Sequence, residues 1–220
     1  MFKLDIEEDL KNIYNITNNK VYGNIPSILP KILEIAKDKK FEDCKEELRE
    51  YNKKIYSSPH INIFINSVNK AWNKISEEYF NRLENITKKK FPYEELTANI
   101  TTINTCPYDP IKKSFMISLY YSLLHALNAI GHELMHLHFH HYYFEDVKKQ
   151  IGNTKTHDLK EALTILLNLE FKDLWFYEDK GYSAHKELRK FIEREWNKKK
   201  DFDKLLDKCV SYLITERRSN

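Results

Sequence analysis

The chain has 220 residues, enough for a real core but short for two full domains, and its 41% hydrophobic and 13% aromatic content excludes a disordered protein. With 36 basic against 33 acidic side chains the formal charge is +3, which gives no ground for a nucleic-acid or anionic-membrane partner. Three cysteines, Cys44, Cys106 and Cys209, are odd in number and far apart, which excludes a disulfide framework or a cysteine-built zinc site.

Only 4 Gly and 6 Pro interrupt the chain and 31% of it is charged, so helices with solvated faces are expected to dominate. The first residues, Met-Phe-Lys-Leu-Asp-Ile-Glu-Glu-Asp-Leu, carry acids where a signal peptide needs an apolar run. No segment has the length of a membrane span, so a soluble, cytoplasmic protein is expected.

The first hundred residues read as helices separated by breakers. Pro26 and Pro30 stand near one start, and Ile28, Leu29, Ile32, Leu33, Ile35 and Ala36 supply its apolar stripe. Phe41, Cys44, Leu48, Tyr51 and Ile55 form a second stripe. A third, from Ile61 through Val68, Trp72 and Tyr79 to Ile86, keeps helical spacing from about Pro59 to Lys88. The pattern changes at Phe91-Pro92. Leu96 to Thr105 is rich in β-branched residues and Ser114 to Leu119 follows a Cys-Pro-Tyr-Asp-Pro loop, which predicts two strands joined as a hairpin. Further helices are expected over Tyr120–His141, Asp158–Phe171, Ser183–Lys199 and Phe202–Thr215, with Gly152 and Gly181 at breaks. The best division of the chain falls near residue 90, with a helical region 1–90 and a mixed region 91–220 that together read as one unit.

His132-Glu133-Leu134-Met135-His136 carries the chemistry. Four residues along an α-helix rise about 6 Å and complete slightly more than a turn, so both imidazoles leave one face and can share one tetrahedral zinc ion. Glu133 lies about 100° around the helix from His132, beside the metal and free of it. From there a carboxylate can take a proton from a metal-bound water and pass it to a leaving amine. A catalytic zinc takes three protein ligands and leaves one position to water. Glu161, on the next predicted helix, is the first choice for the third ligand, His157 is the rival, and Glu145, Asp146 and Asp158 are weaker candidates. His125, His138, His140 and His141 read more readily as filling of the helix surface.

Over about Leu96 to Glu170 the sequence resembles the zincin metallopeptidases, most of all the gluzincin group, in which His-Glu-x-x-His and a glutamate on a following helix bind one catalytic zinc. The resemblance implies an α+β, predominantly helical domain with a small antiparallel β-hairpin packed on the active-site helix. It implies hydrolysis of a peptide or protein substrate, with His132, His136 and Glu161 as ligands and Glu133 as general base and acid. It also implies that Ser114–Leu119 or Leu96–Thr105 is an edge strand that binds substrate backbone, and that some side chain donates to the oxyanion. Tyr182 and His185, just before a helix, are the candidates for that donor. Lys160 precedes Glu161 where the thermolysin-like members have Asn. Ile165 stands four residues after it where they have an acid, so the sequence names no carboxylate to orient a ligand histidine. The alternative is a regulatory or toxin-associated protein that keeps a zinc-binding zincin scaffold without catalysis.

Overall fold

The structure, a computed structural model, describes residues 2–18 and 29–216. Pro26, near the expected start of the first apolar stripe, and Ile28, its first residue, lie outside the described residues. The fold is α+β and predominantly helical, with one four-stranded sheet. None of the described helices is long and apolar enough to cross a membrane. The chain divides into two compact units, 1–72 with 95–129, and 73–94 with 130–220. Both are discontinuous in sequence, and residue 90 falls inside the second.

The first unit holds helices α1 (Ile6–Asn18), α2 (Pro30–Ala36) and α3 (Phe41–Tyr56), the start of α4 (Pro59–Thr87), and the sheet. Leu10 and Ile13 of α1, Ile32, Ile35 and Ala36 of α2, and Cys44 and Leu48 of α3 close into one buried cluster, as their helical spacing requires. Asp9 is fully buried in this unit and is satisfied by four donors. These are the Thr101 and Thr102 hydroxyls (2.6 Å each), the Thr102 amide (2.9 Å) and the Tyr56 hydroxyl (2.9 Å).

The sheet corrects one expectation. Strands β1 (Phe2–Lys3), β2 (Thr97–Thr101), β3 (Tyr108–Asp109) and β4 (Ser114–Ser118) lie in the order β1-β2-β4-β3. The two predicted strands are not the two arms of an antiparallel hairpin; β2 and β4 pair in parallel, Thr97 opposite Ser114 and Thr101 opposite Ser118. The tight reversal comes later, between β3 and β4, where Asp109 Oδ1 accepts from the Ile111 and Lys112 amides (2.9 Å each) and Lys113 adopts a φ of 51°. That turn takes the hairpin partnership, and the long connection before it lets β2 join the other side of β4. Neither predicted strand is at the edge of the sheet, although β3 pairs with only the first two residues of β4.

The second unit is helical. It contains the end of α4, α5 (Leu123–Tyr142) from Ile130 onward, α6 (Phe144–Ile151), α7 (Asn153–Leu163), α8 (Ile165–Glu170), α9 (Lys172–Trp175), a 3-10 turn at Ser183–His185, α10 (Lys186–Lys198) and α11 (Phe202–Glu216). The single helix expected over Asp158–Phe171 is broken at Thr164, whose hydroxyl and amide both turn back to the Glu161 carbonyl (2.8 and 3.3 Å). Gly131 is where α5 meets aromatic neighbours. A Cβ there would lie 2.7 Å from Trp175 Cη2 and 3.1 Å from Tyr79 Cε2, and the Tyr79 hydroxyl donates to the Gly131 carbonyl (2.7 Å). Phe171 and Trp175 stack behind this contact, with ring centroids 6.1 Å apart. The helix turn that carries His132 is therefore seated on a rigid aromatic floor.

Candidate metal centre

Residues 126–139 of α5 are buried except His132, which stays partly exposed and is where solvent reaches the motif. A helix apolar on every side is driven inside the fold, and it takes its polar residues with it. Glu133 and His136 are accordingly buried, so their charge states depend on what faces them.

What faces them is α7. Glu161 Oε1 lies 3.3 Å from His136 Nε2, and Glu161 Oε2 lies 3.5 Å from His132 Nε2. A tetrahedral zinc with ligand bonds near 2.0 Å has ligand-to-ligand edges of about 3.3 Å, so each imidazole stands one such edge from the carboxylate. Ligand atoms of His132, His136 and Glu161 all lie within 4.8 Å of one another, a group able to hold a metal ion. Two imidazole nitrogens and one carboxylate oxygen are a donor set that zinc accepts. Glu161 has a further partner in the buried Lys160, whose Nζ is 2.7 Å from Oε1.

Asp179 is the residue that sequence reasoning missed. Its Oδ2 lies 2.7 Å from His132 Nδ1. A carboxylate held ionised can only accept, so Nδ1 carries a proton, and Nε2 is directed to Glu161. Asp179 is in the irregular segment after α9, 47 residues from its histidine, where an acid in Glu-Asp-Lys-Gly looks like any solvated loop acid. The one available signal was its place two residues before Gly181, in a stretch that begins no helix.

Burial sets the proton affinities of the cluster. It raises Glu133 to about 7, against the opposing pull of His132 and Lys160. At His136 burial, helped by the Lys160 charge, holds the imidazole neutral, down to about 3. At His132 burial works in the same direction, but the charge and hydrogen bond of Asp179 and the hydrogen bond of Glu161 outweigh it and raise the imidazole to about 10. Asp179 and Glu161 resist burial in turn and are held below the usual carboxylate range, Asp179 by His132 and Arg189, Glu161 by both histidines and Lys160.

The remaining candidates are placed elsewhere. His185 is buried in the 3-10 turn before α10 with Nε2 3.2 Å from Asp158 Oδ1, and the half-exposed Tyr182 ring packs edge-on against it at 5.7 Å. The group able to hold a metal ion among the described residues contains neither of them. His157 packs edge-on against Phe144 (5.0 Å), while Glu145 and Asp146 pair with Lys148 and Lys149 one turn along their own helix. Of the extra histidines, His138 bonds the Thr87 hydroxyl (3.0 Å), and His140 and His125 stack on Phe144 and Tyr121 (4.4 and 3.7 Å). His141 meets Tyr93 edge-on at 5.7 Å.

Compared with protein-family models, with curated proteins and with solved structures, the chain has no match in any of the three.

Proposed function

We propose that this chain is a zinc-dependent peptidase in which His132, His136 and Glu161 hold the metal and Glu133 moves the proton. The observation that carries the reading is the convergence of the three ligand atoms within 4.8 Å beside a buried Glu133 whose proton affinity sits near neutrality. Zinc bound there supplies a Lewis acid for the scissile carbonyl and lowers the pKa of a water to about 7.

The chain's own groups do the rest. His136, kept neutral by burial, offers a lone pair without first losing a proton. Asp179 keeps the His132 proton on Nδ1 and so keeps Nε2 for the metal. Glu161, facing both imidazoles, would bring the negative charge that offsets a bound dication. Glu133, which burial raises to about 7 in the metal-free protein, accepts a proton from the attacking water and returns it to the departing amine nitrogen. A covalent intermediate on Ser or Cys is not required. Peptide as the substrate class comes from the resemblance of the motif helix and Glu161 to gluzincins.

Cleavage of a peptide library by wild type and Glu133→Gln, with zinc content measured in both, tests this. The expected result is equal zinc and loss of cleavage by at least about 100-fold in the variant. Equal cleavage by both proteins would refute the role of Glu133, and zinc without cleavage in wild type would favour a non-catalytic zinc scaffold.

A further inference from the structure

We propose that Arg189 is a positioning residue for the metal centre, acting on His132 through Asp179; the inference rests on the zinc reading above. Asp179 belongs to no helix or strand, so its carboxylate must be fixed by side chains. Asn168, Arg189 and Thr164 hold the residue. Asn168 on α8 accepts from the Asp179 amide and donates to its carbonyl, 2.8 Å each, which fixes the main chain. Arg189 on α10 fixes both main chain and carboxylate. Its Nη2 donates to the Asp179 carbonyl (2.6 Å), and its Nη1 lies 3.0 Å from Asp179 Oδ1 and 2.8 Å from the Thr164 hydroxyl. The Thr164 oxygen is itself 3.1 Å from Oδ1. Oδ1 is thus held by Arg189 and Thr164, and Oδ2 is the oxygen left for His132.

The chain is shaped around this guanidinium. Arg189, Asp179 and Thr164 are all buried. Gly181 crosses so close that a Cβ would lie 2.6 Å from Arg189 Nη1 and 2.7 Å from its Cζ, and its φ of 58° is one that side-chain-bearing residues rarely adopt. The Thr164 hydroxyl also reaches the Glu161 carbonyl at 2.8 Å, so the same clasp touches the backbone of the third ligand. Arginine suits the place because its planar fork meets three acceptors at once, which a lysine ammonium on a flexible stem does not do with the same geometry. This arrangement supplies the orienting carboxylate that Ile165 does not.

If Arg189 acts through Asp179, its effect must vanish when Asp179 is gone. Zinc affinity, measured by chelator competition in wild type, Arg189→Met, Asp179→Ala and the double variant, reads this directly. Each single substitution is expected to weaken zinc about 10- to 100-fold. The double variant is expected to bind within about twofold of the weaker single one. Cobalt(II) bound to Arg189→Met should show a visible spectrum shifted in the same sense as that of Asp179→Ala, a change that loss of packing alone does not produce. Should Arg189→Met fail to fold, Thr164→Val serves instead, with about 3- to 10-fold weaker zinc binding that disappears in the Asp179→Ala background. Wild-type affinity in the Arg189 or Thr164 variant, or single effects that multiply in the double one, would overturn the inference while leaving the zinc site standing. Wild type that binds no zinc would overturn the zinc reading and this inference with it.

Discussion

His132 Nδ1 and Asp179 Oδ2 stand 2.7 Å apart, and that contact divides the two histidines of the motif into different chemical roles. The imidazole of His132 is charged at neutral pH in the metal-free protein, about 10, whereas His136 is neutral, about 3. Zinc bound at the proposed site would therefore displace a proton from His132 and not from His136.

The first prediction follows from that asymmetry. In calorimetric titrations with zinc at pH 8, run in buffers of different ionisation enthalpy, wild type should release about one proton more than Asp179→Ala. Without Asp179 the largest of the factors that raise His132 is lost, and burial should then leave the imidazole neutral at that pH. Equal proton release would show that Asp179 does not set the state of His132.

A second prediction concerns the acid side of the pH–rate profile. In the proposed role of base, Glu133 would work only when ionised; burial raises it to about 7, and a bound dication nearby would only pull it back down. Activity should therefore fall as pH drops, with a midpoint at or below about 7. The same shift has a stability consequence with the opposite sense to a salt-bridged acid. A carboxyl raised above its ordinary 4.5 destabilises the fold as pH rises from 4.5 through about 7, so Glu133→Gln should stabilise the metal-free protein at pH 8 relative to wild type and lose that advantage near pH 4. Denaturant unfolding at the two pH values measures it.

Gly131→Ala is the third test. Alanine is favoured over glycine inside a helix by up to about 1 kcal/mol, so an exposed site would be stabilised. Here the new methyl would lie 2.7 Å from Trp175 and 3.1 Å from Tyr79, both fully buried rings that cannot swing away. Overpacking of this kind costs about 1 to 3 kcal/mol, so chemical denaturation should show net destabilisation. Weaker zinc binding should accompany it, since the floor under His132 moves. An increase in stability would contradict the packing described.

The fourth addresses the first unit alone. Asp9→Ala leaves the Thr101, Thr102 and Tyr56 hydroxyls without their shared acceptor in a buried site, at a cost of about 3 kcal/mol or more by denaturation. Zinc stoichiometry should be unchanged in the fraction that remains folded, because Asp9 takes no part in the metal centre.

The parts of this picture that the sequence reveals are those fixed within one helix. The spacing of His132, Glu133 and His136 determines their geometry once the segment is helical, and the apolar residues around them make it so. Glu161 is half legible: its helix is readable, but the reversal that returns it to α5 is a tertiary fact. Thr164 ends α7 inside Ala-Leu-Thr-Ile-Leu-Leu, a run whose pattern continues as if the helix did, because the hydroxyl's turn back to Glu161 leaves no compositional mark. Asp179 and Arg189 are polar residues in unremarked positions, and only the fold brings them to His132. The direction of β2 against β4 was hidden for a similar reason. A β-branched composition marks which residues form strands, while the Asp109–Lys113 turn decides which strand is the hairpin partner.

The central claim is that His132, His136 and Glu161 are one metal site. Its most direct test is the zinc content, by elemental mass spectrometry, of wild type and His136→Ala expressed with added zinc and dialysed against metal-free buffer. One zinc per wild-type chain and loss of it in the variant is the predicted result. Wild type without zinc, or a variant that keeps a full equivalent, would contradict the account.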